Sequence, residues 1–229
     1  MSTANYFVTP EGLQEAPPQP TPNPLLKAVA MVVSYLMHPI FIPMYVLTLL
    51  LFVEPFLFLG ATPREKALTF GRAFVNYTFF PLISILLLRG LKLIPSIHLK
   101  ERKDRIIPFI ISNIWYFWIW FVWRGLNGVP EYLIVFALSI FLASSIGLLA
   151  NIYIKISMHG IALGTAVTYL LLLTLLPDAP NLTRYLAIAI LAAGITGTAR
   201  LLLGAHTPKE YYIGLAVGAL AVLMADFIV

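Results

Sequence analysis

Arg200, His206 and Glu210 stand in the run ARLLLGAHTPKEYYIG, between two stretches apolar enough to cross a bilayer. A cation, an imidazole and a carboxylate are costly to desolvate, so their presence at a membrane boundary points to a functional site. His206 and Glu210 are four residues apart. On a helix they share one face, where the carboxylate can fix the imidazole tautomer and raise its basicity. The chemistry open to this trio is that of an oriented, basic imidazole beside a fixed cation.

Two further polar clusters have residues of similar type. One is HLKERKDRIIP, from His98 to Pro108, and the other is KISMHG, from Lys155 to Gly160, at the start of an apolar stretch. For all three to meet, the elements between them must bring them to one end of a bundle.

Those elements follow from composition. Of 229 residues, 60% are hydrophobic and 11% charged, with a mean hydropathy of +0.89. Soluble domains carry roughly 25% charged residues. Repeated apolar runs of about 20 residues imply an all-α, polytopic helical membrane bundle of six to seven transmembrane helices. The absence of cysteine excludes a disulfide framework, a thiolate metal site and a cysteine nucleophile. The basic residues fall in short loops, which excludes a nucleic-acid face.

Residues 1–24 are rich in proline and read as a disordered tail, leaving 25–229 as a single transmembrane domain. A short helix at the membrane interface should run to Met37, kink at His38-Pro39, and continue as a span ending near Val53. Further spans are expected at about 67–88, 106–123, 132–153, 157–176, 183–203 and 211–229. The aromatic cluster Trp115, Tyr116, Trp118, Trp120 and Trp123 is expected to face lipid or the interface. His38 is expected to satisfy the kinked backbone, and Arg102 and Lys103 to form a positive loop. Seven spans place all three polar clusters on one face.

That face also gathers most of the lysines and arginines, while Arg64, Lys66, Arg72, Arg124 and Arg184 lie on the other. The positive-inside rule would make the richer face cytoplasmic. Cations recruited to a site carry no topological information, so the orientation stays open.

The order of the three clusters resembles the type 2 phosphatidic acid phosphatase superfamily, membrane lipid phosphatases related in fold to vanadium haloperoxidases. Its third motif, Ser-Arg-x5-His-x3-Asp, is matched by Arg200, His206 and Glu210, with Ala199 in place of serine and Gly214 following. Its second, Pro-Ser-Gly-His, is matched by Ser157-Met158-His159 after Ile156. Its first, Lys-x6-Arg-Pro, retains Arg105, with His98 where the lysine belongs and Ile106 where the proline belongs. The resemblance covers roughly residues 98–218.

The resemblance implies an integral-membrane enzyme, placed in a bacterial inner (plasma) membrane. It would hydrolyse a phosphomonoester or diphosphate of a lipid or isoprenoid without metal or cofactor. His206 would attack phosphorus and form a phosphohistidine, with Glu210 orienting it. His159 would protonate the leaving lipid oxygen and then activate water. Arg200 and Arg105 would clamp the phosphoryl oxygens, with Ser157 and Lys155 adding donors. Lys100 or Lys155 could replace the missing motif lysine. The expected partners are the lipid phosphate substrate and membrane lipids, with no nucleic acid. The alternative is a catalytically degenerate relative that serves as a membrane scaffold, or a lipid or small-solute transporter. Polar clusters at span ends and the lack of an internal repeat favour an interfacial site over a transporter's midplane site.

Overall fold

The structure, a computed structural model, describes residues 6–9, 12–15, 23–94, 102–176 and 181–229. Within the N-terminal segment, Tyr6–Thr9 pairs with Gly12–Glu15 as a two-stranded antiparallel hairpin. The other described residues form an all-α bundle.

Helix α1, Pro24–Leu36, begins with proline at its first turn and with the Asn23 side chain accepting from the Leu25 N–H. Ala30 and Ser34 are buried, whereas Leu25, Val29, Val32 and Leu36 face outwards. The buried stripe packs along α8 (Thr183–Leu202). As expected, the helix breaks at His38-Pro39, because proline cannot continue the hydrogen-bond ladder. Helix α2, Ile42–Thr48, then runs into a wide π turn, Leu49–Val53.

Helix α3, Pro63–Phe74, passes through a second π turn, Val75–Phe79, into α4, Phe80–Gly90. Pro81 supplies the cause: it has no N–H for the preceding turn and its ring crowds that turn's carbonyl, so the helix widens there. The wide turn presents Thr78, whose hydroxyl donates to the Ile40 carbonyl at 3.0 Å and pins the His38–Phe41 turn. Helices α5 (Ile106–Arg124), α6 (Glu131–Tyr153), α7 (Met158–Thr174), α8 and α9 (Pro208–Ile228) complete the bundle.

The segments Pro63–Gly90, Lys103–Arg124, Glu131–Tyr153, Thr183–Leu202 and Pro208–Ile228 are each long and apolar enough to cross a membrane. The chain is therefore an integral membrane protein. Ile42–Val53 and Met158–Thr174, both expected as spans, form apolar helices that fall short of that length.

Contacts at the two ends show the up-and-down order. At one end the Tyr169 hydroxyl donates to the Tyr132 carbonyl at 2.9 Å, and Glu54 pairs with Arg184 and Tyr185. At the other end lie His38, Arg105, Ser157 and His206.

The closest packing is between α7 and α9, each of which carries a Gly-x-x-x-Gly stripe. A Cβ at Gly164 would fall 2.2 Å from the Leu215 carbonyl oxygen, and one at Gly218 would fall 2.2 Å from that of Ile161. Only glycine lets these backbones touch, the small-residue packing that operates where lipid offers no hydrophobic drive. The aromatic cluster divides by helical face. Trp123, 1% exposed, packs edge-on against Tyr77 in the core, while Trp118, 54% exposed, faces outwards. The expectation of a wholly lipid-facing cluster is thus corrected for Trp123, because residues 116, 119 and 123 share the inward side of α5.

Candidate active site

The last turn of α8 ends in Gly204, at φ +60°. The Ala205 N–H bonds the Arg200 carbonyl at 3.1 Å and the Gly204 N–H bonds that of Leu201 at 2.9 Å. This paired closure turns the chain sharply and leaves His206 beside Arg200. Helix α9 then starts with Thr207 as its cap. The Thr207 hydroxyl accepts from the Glu210 N–H, and the Glu210 carboxylate accepts from the Thr207 N–H at 3.2 Å. Thr-x-x-Glu with proline between is a capping-box signature.

The same carboxylate oxygen, Glu210 Oε2, also accepts from His206 Nδ1–H at 2.9 Å. Glu210 thus caps the helix and fixes the imidazole tautomer with one atom. A glutamate, where the third motif has aspartate, is what the capping box uses at this position. With Nδ1 carrying the proton, Nε2 of His206 keeps a free lone pair. The ring is 8% exposed. Its pKa is lowered, first by desolvation and then by the charges of Arg105 and Arg200, against the opposing pull of Glu210. At neutral pH this imidazole is uncharged and can act as a nucleophile.

The α6–α7 connection crosses this site. Helix α6 ends at Tyr153, where Arg102 Nη1 donates to the Ile152 and Tyr153 carbonyls at 3.2 and 2.6 Å and Asn151 Nδ2 donates back to the Arg102 carbonyl. A cation on terminal carbonyls is the favourable sign for a helix C-terminus. Arg105, 6% exposed, donates from Nη1 to the Ile156 carbonyl at 2.9 Å. The Ser157 N–H reaches the Glu210 carbonyl at 3.3 Å, so the second and third clusters are joined through backbone. Ser157, fully buried, caps α7 by accepting from the Gly160 N–H at 3.3 Å.

His159 follows in the first turn of α7 and is 8% exposed. Its Nε2–H donates to the Ser34 carbonyl of α1 at 3.1 Å, which leaves Nδ1 bare in the neutral ring. His38 stands edge-on to His159, with ring centroids 5.8 Å apart. The Ile40 N–H reaches His38 Nδ1 at 3.4 Å, so His38 carries its proton on Nε2. Its pKa is lowered by the surrounding protein atoms and then by Arg200. His159 in turn lies within electrostatic reach of Arg200, His38 and His206. Arg105 feels both Arg200 and Glu210.

Five of the seven site residues anticipated from sequence, Arg105, His159, Arg200, His206 and Glu210, therefore form one electrostatic group, and Ser157 caps the helix beneath it. Lys155 lines a cleft of about 620 Å³ with Arg102, Lys103, Lys209 and Glu210, and so adjoins the group through Glu210. His98 and Lys100 lie outside the described residues. His38 and Ser34 are additions to the group. The proline kink placed His38 at a helix junction, but no local pattern tied it to His159, 121 positions away.

In comparisons with known proteins, no family model, curated protein or solved structure matches this chain.

Two buried polar atoms near the group have no hydrogen-bond partner among the described residues, Arg200 Nε and Ser34 Oγ. A buried guanidinium donor left unmatched is costly unless an acceptor arrives, and an anionic oxygen would satisfy it. Beside the group, an apolar cavity of about 80 Å³ is lined by Pro39, Ile42, Phe109, Phe136, Met158 and Ile161, among others. Two of these, Pro39 and Met158, are the chain neighbours of His38 and His159.

Proposed function

We propose that this protein is an integral-membrane phosphatase for lipid or isoprenoid phosphates, of the type its three motifs resemble, residing in a bacterial inner membrane. The observation that carries this reading is His206. It is a buried, neutral imidazole with its tautomer set by Glu210, its other nitrogen free, and two guanidinium groups acting on it.

His206 Nε2 attacks phosphorus, and Glu210 stabilises the positive charge that develops on the ring. Arg200 and Arg105 hold the phosphoryl oxygens, and their charge offsets that of the pentacoordinate transition state. The bare Nδ1 of His159 takes a proton from the water that hydrolyses the phosphohistidine. The apolar cavity receives part of the lipid chain.

Purified protein in detergent should release inorganic phosphate from lipid phosphates with no added metal. Vanadate should inhibit. His206→Ala should abolish release and Arg200→Ala should reduce it strongly. A broad lipid-phosphate panel giving no release above the His206→Ala background would refute the reading. That result would favour the scaffold or transporter alternative, to which the engagement of His159 by the Ser34 carbonyl lends some support.

A further inference from the structure

The cleft beside Glu210 gathers cations from three parts of the chain. Arg102 and Lys103 come from the approach to α5, Lys155 from the α6–α7 connection, and Lys209 from the first turn of α9. Like charges do not assemble by themselves. Here hydrogen bonds to the backbone hold the three parts together. Arg102 Nη1 donates to the Ile152 and Tyr153 carbonyls, Asn151 Nδ2 to the Arg102 carbonyl, and the Ser157 N–H to the Glu210 carbonyl. Among the lining residues four cations stand against one carboxylate, that of Glu210. Its Oε2 already accepts from His206 Nδ1–H and from the Thr207 N–H, so the cleft keeps a positive excess. Thr207, Lys209 and Glu210 also belong to the cap and first turn of α9, the positive end of a long helix. An anion is the ligand that offsets this charge.

The level of the cleft along the bundle indicates which anion. Lys103 begins one membrane-length segment, Tyr153 ends another, and Pro208, next to Lys209, begins a third. The cleft therefore lies where spans leave the hydrocarbon, at the level of lipid headgroups. Its wall is also partly apolar, with Ile154, Ile213 and the largely exposed Tyr153. A tyrosine exposed at a span end is a usual interfacial anchor. Lysines and apolar side chains sharing one cleft match an anion that carries acyl chains, whereas a soluble anion has no use for the apolar wall.

We propose that this cleft binds the phosphate headgroup of an anionic phospholipid that is not cleaved, at a site separate from the buried His206 group. Lys103, Lys155 and Lys209 hold the phosphate, and Tyr153 and Ile213 lie against the start of the chains. Lys155, expected from the sequence to add a donor at the reacting phosphoryl group, serves this second anion instead. No reaction at His206 is required, so the site stands or falls apart from the phosphatase reading.

Native mass spectrometry of the full chain, released from micelles with equal phosphatidylglycerol and phosphatidylcholine of the same acyl chains, tests this. The chain should retain phosphatidylglycerol over phosphatidylcholine by about tenfold or more, since each lysine near an anionic headgroup contributes on the order of a few-fold. The triple variant Lys103→Gln/Lys155→Gln/Lys209→Gln should lose the preference. Arg64→Gln/Lys66→Gln/Arg72→Gln, with as many cations removed at the other end of the bundle, should keep it. Equal retention of the two lipids, or equal loss of preference in both triple variants, would overturn the inference in favour of general surface charge. A second arm needs no variant. A phosphatidylglycerol with a photoreactive group near its headgroup should crosslink the native chain in peptides containing Tyr153 or Ile213, and crosslinks confined to other peptides would overturn the site. Inorganic phosphate or glycerophosphoglycerol, in large molar excess, should leave the lipid bound. Displacement by either would overturn the lipid as occupant and make the cleft a site for soluble phosphates.

Discussion

Glu210 makes two bonds through one oxygen, and the two functions can be separated by substitution. Glu210→Gln keeps an acceptor for His206 Nδ1–H and a partner for the Thr207 N–H, but removes the negative charge. Phosphate release should fall by about a hundredfold, because the charge developing on the ring in the transition state loses its counterion. The pH profile should shift as well. Desolvation and the two arginines already lower the His206 pKa below its ordinary 6.5, and Glu210 opposes them. The acid limb of kcat/KM in the native protein should therefore lie below pH 6.5. It should move further down in Glu210→Gln and upward in Arg200→Met, which removes a positive neighbour. Identical acid limbs in all three proteins would show that His206 is not the titrating nucleophile. Glu210→Asp keeps the charge but shortens the reach, so it should weaken the cap as well as activity. At this scale the trio was legible in the sequence, because four-residue spacing across a helix start is local. The glutamate has its own local reason in the Thr207-Pro208-Lys209-Glu210 capping box.

At the scale of elements, the site depends on how closely α7 and α9 approach, since one carries His159 and the other begins just after His206. The glycine stripes set that distance. In Gly164→Leu the added side chain would meet the Leu215 backbone directly, and the helices would have to move apart. Overpacking of this kind costs about 1–3 kcal/mol. A displacement of about 1 Å at a reacting group can cost on the order of a hundredfold in rate. The expected outcome is a thermal midpoint that falls modestly and an activity that falls far more. Gly194→Leu, on the open side of α8 with nothing within 4 Å of a Cβ, should leave both unchanged. An equal loss from the two variants would remove the α7–α9 contact as the determinant. Helix positions could be read from the sequence because each apolar run reports only on itself. The pairing of glycines across 54 positions could not, because no local pattern says which helix faces which. Arg102 shows the same limit. As a sequence residue it was a loop cation, and only the meeting of the α5 start with the α6 end makes it a cap on the Ile152 and Tyr153 carbonyls.

For the whole molecule, the up-and-down bundle puts the His206 group at one end and the Glu54–Arg184–Tyr185 cluster at the other. The cluster there is surface-exposed on the Arg184 side, and Tyr185 followed by Arg184 holds the Glu54 carboxylate below its ordinary pKa. The pair is open to solvent and lies at the opposite end from His206, so Glu54→Gln should leave phosphate release unchanged. The two ends must also open to opposite sides of the membrane. The chain has no cysteine, so single cysteines can be placed without a background. Lys209→Cys and Lys155→Cys line the cleft beside Glu210 and should react with an impermeant maleimide from the same side of sealed vesicles. Arg184→Cys should react only from the other side. Labelling of residues 209 and 184 from one side would break the bundle order on which the site is built. If the order holds, the side on which Lys209→Cys reacts also identifies the compartment that the site faces, a point the distribution of lysine and arginine left open because several of those cations belong to the site.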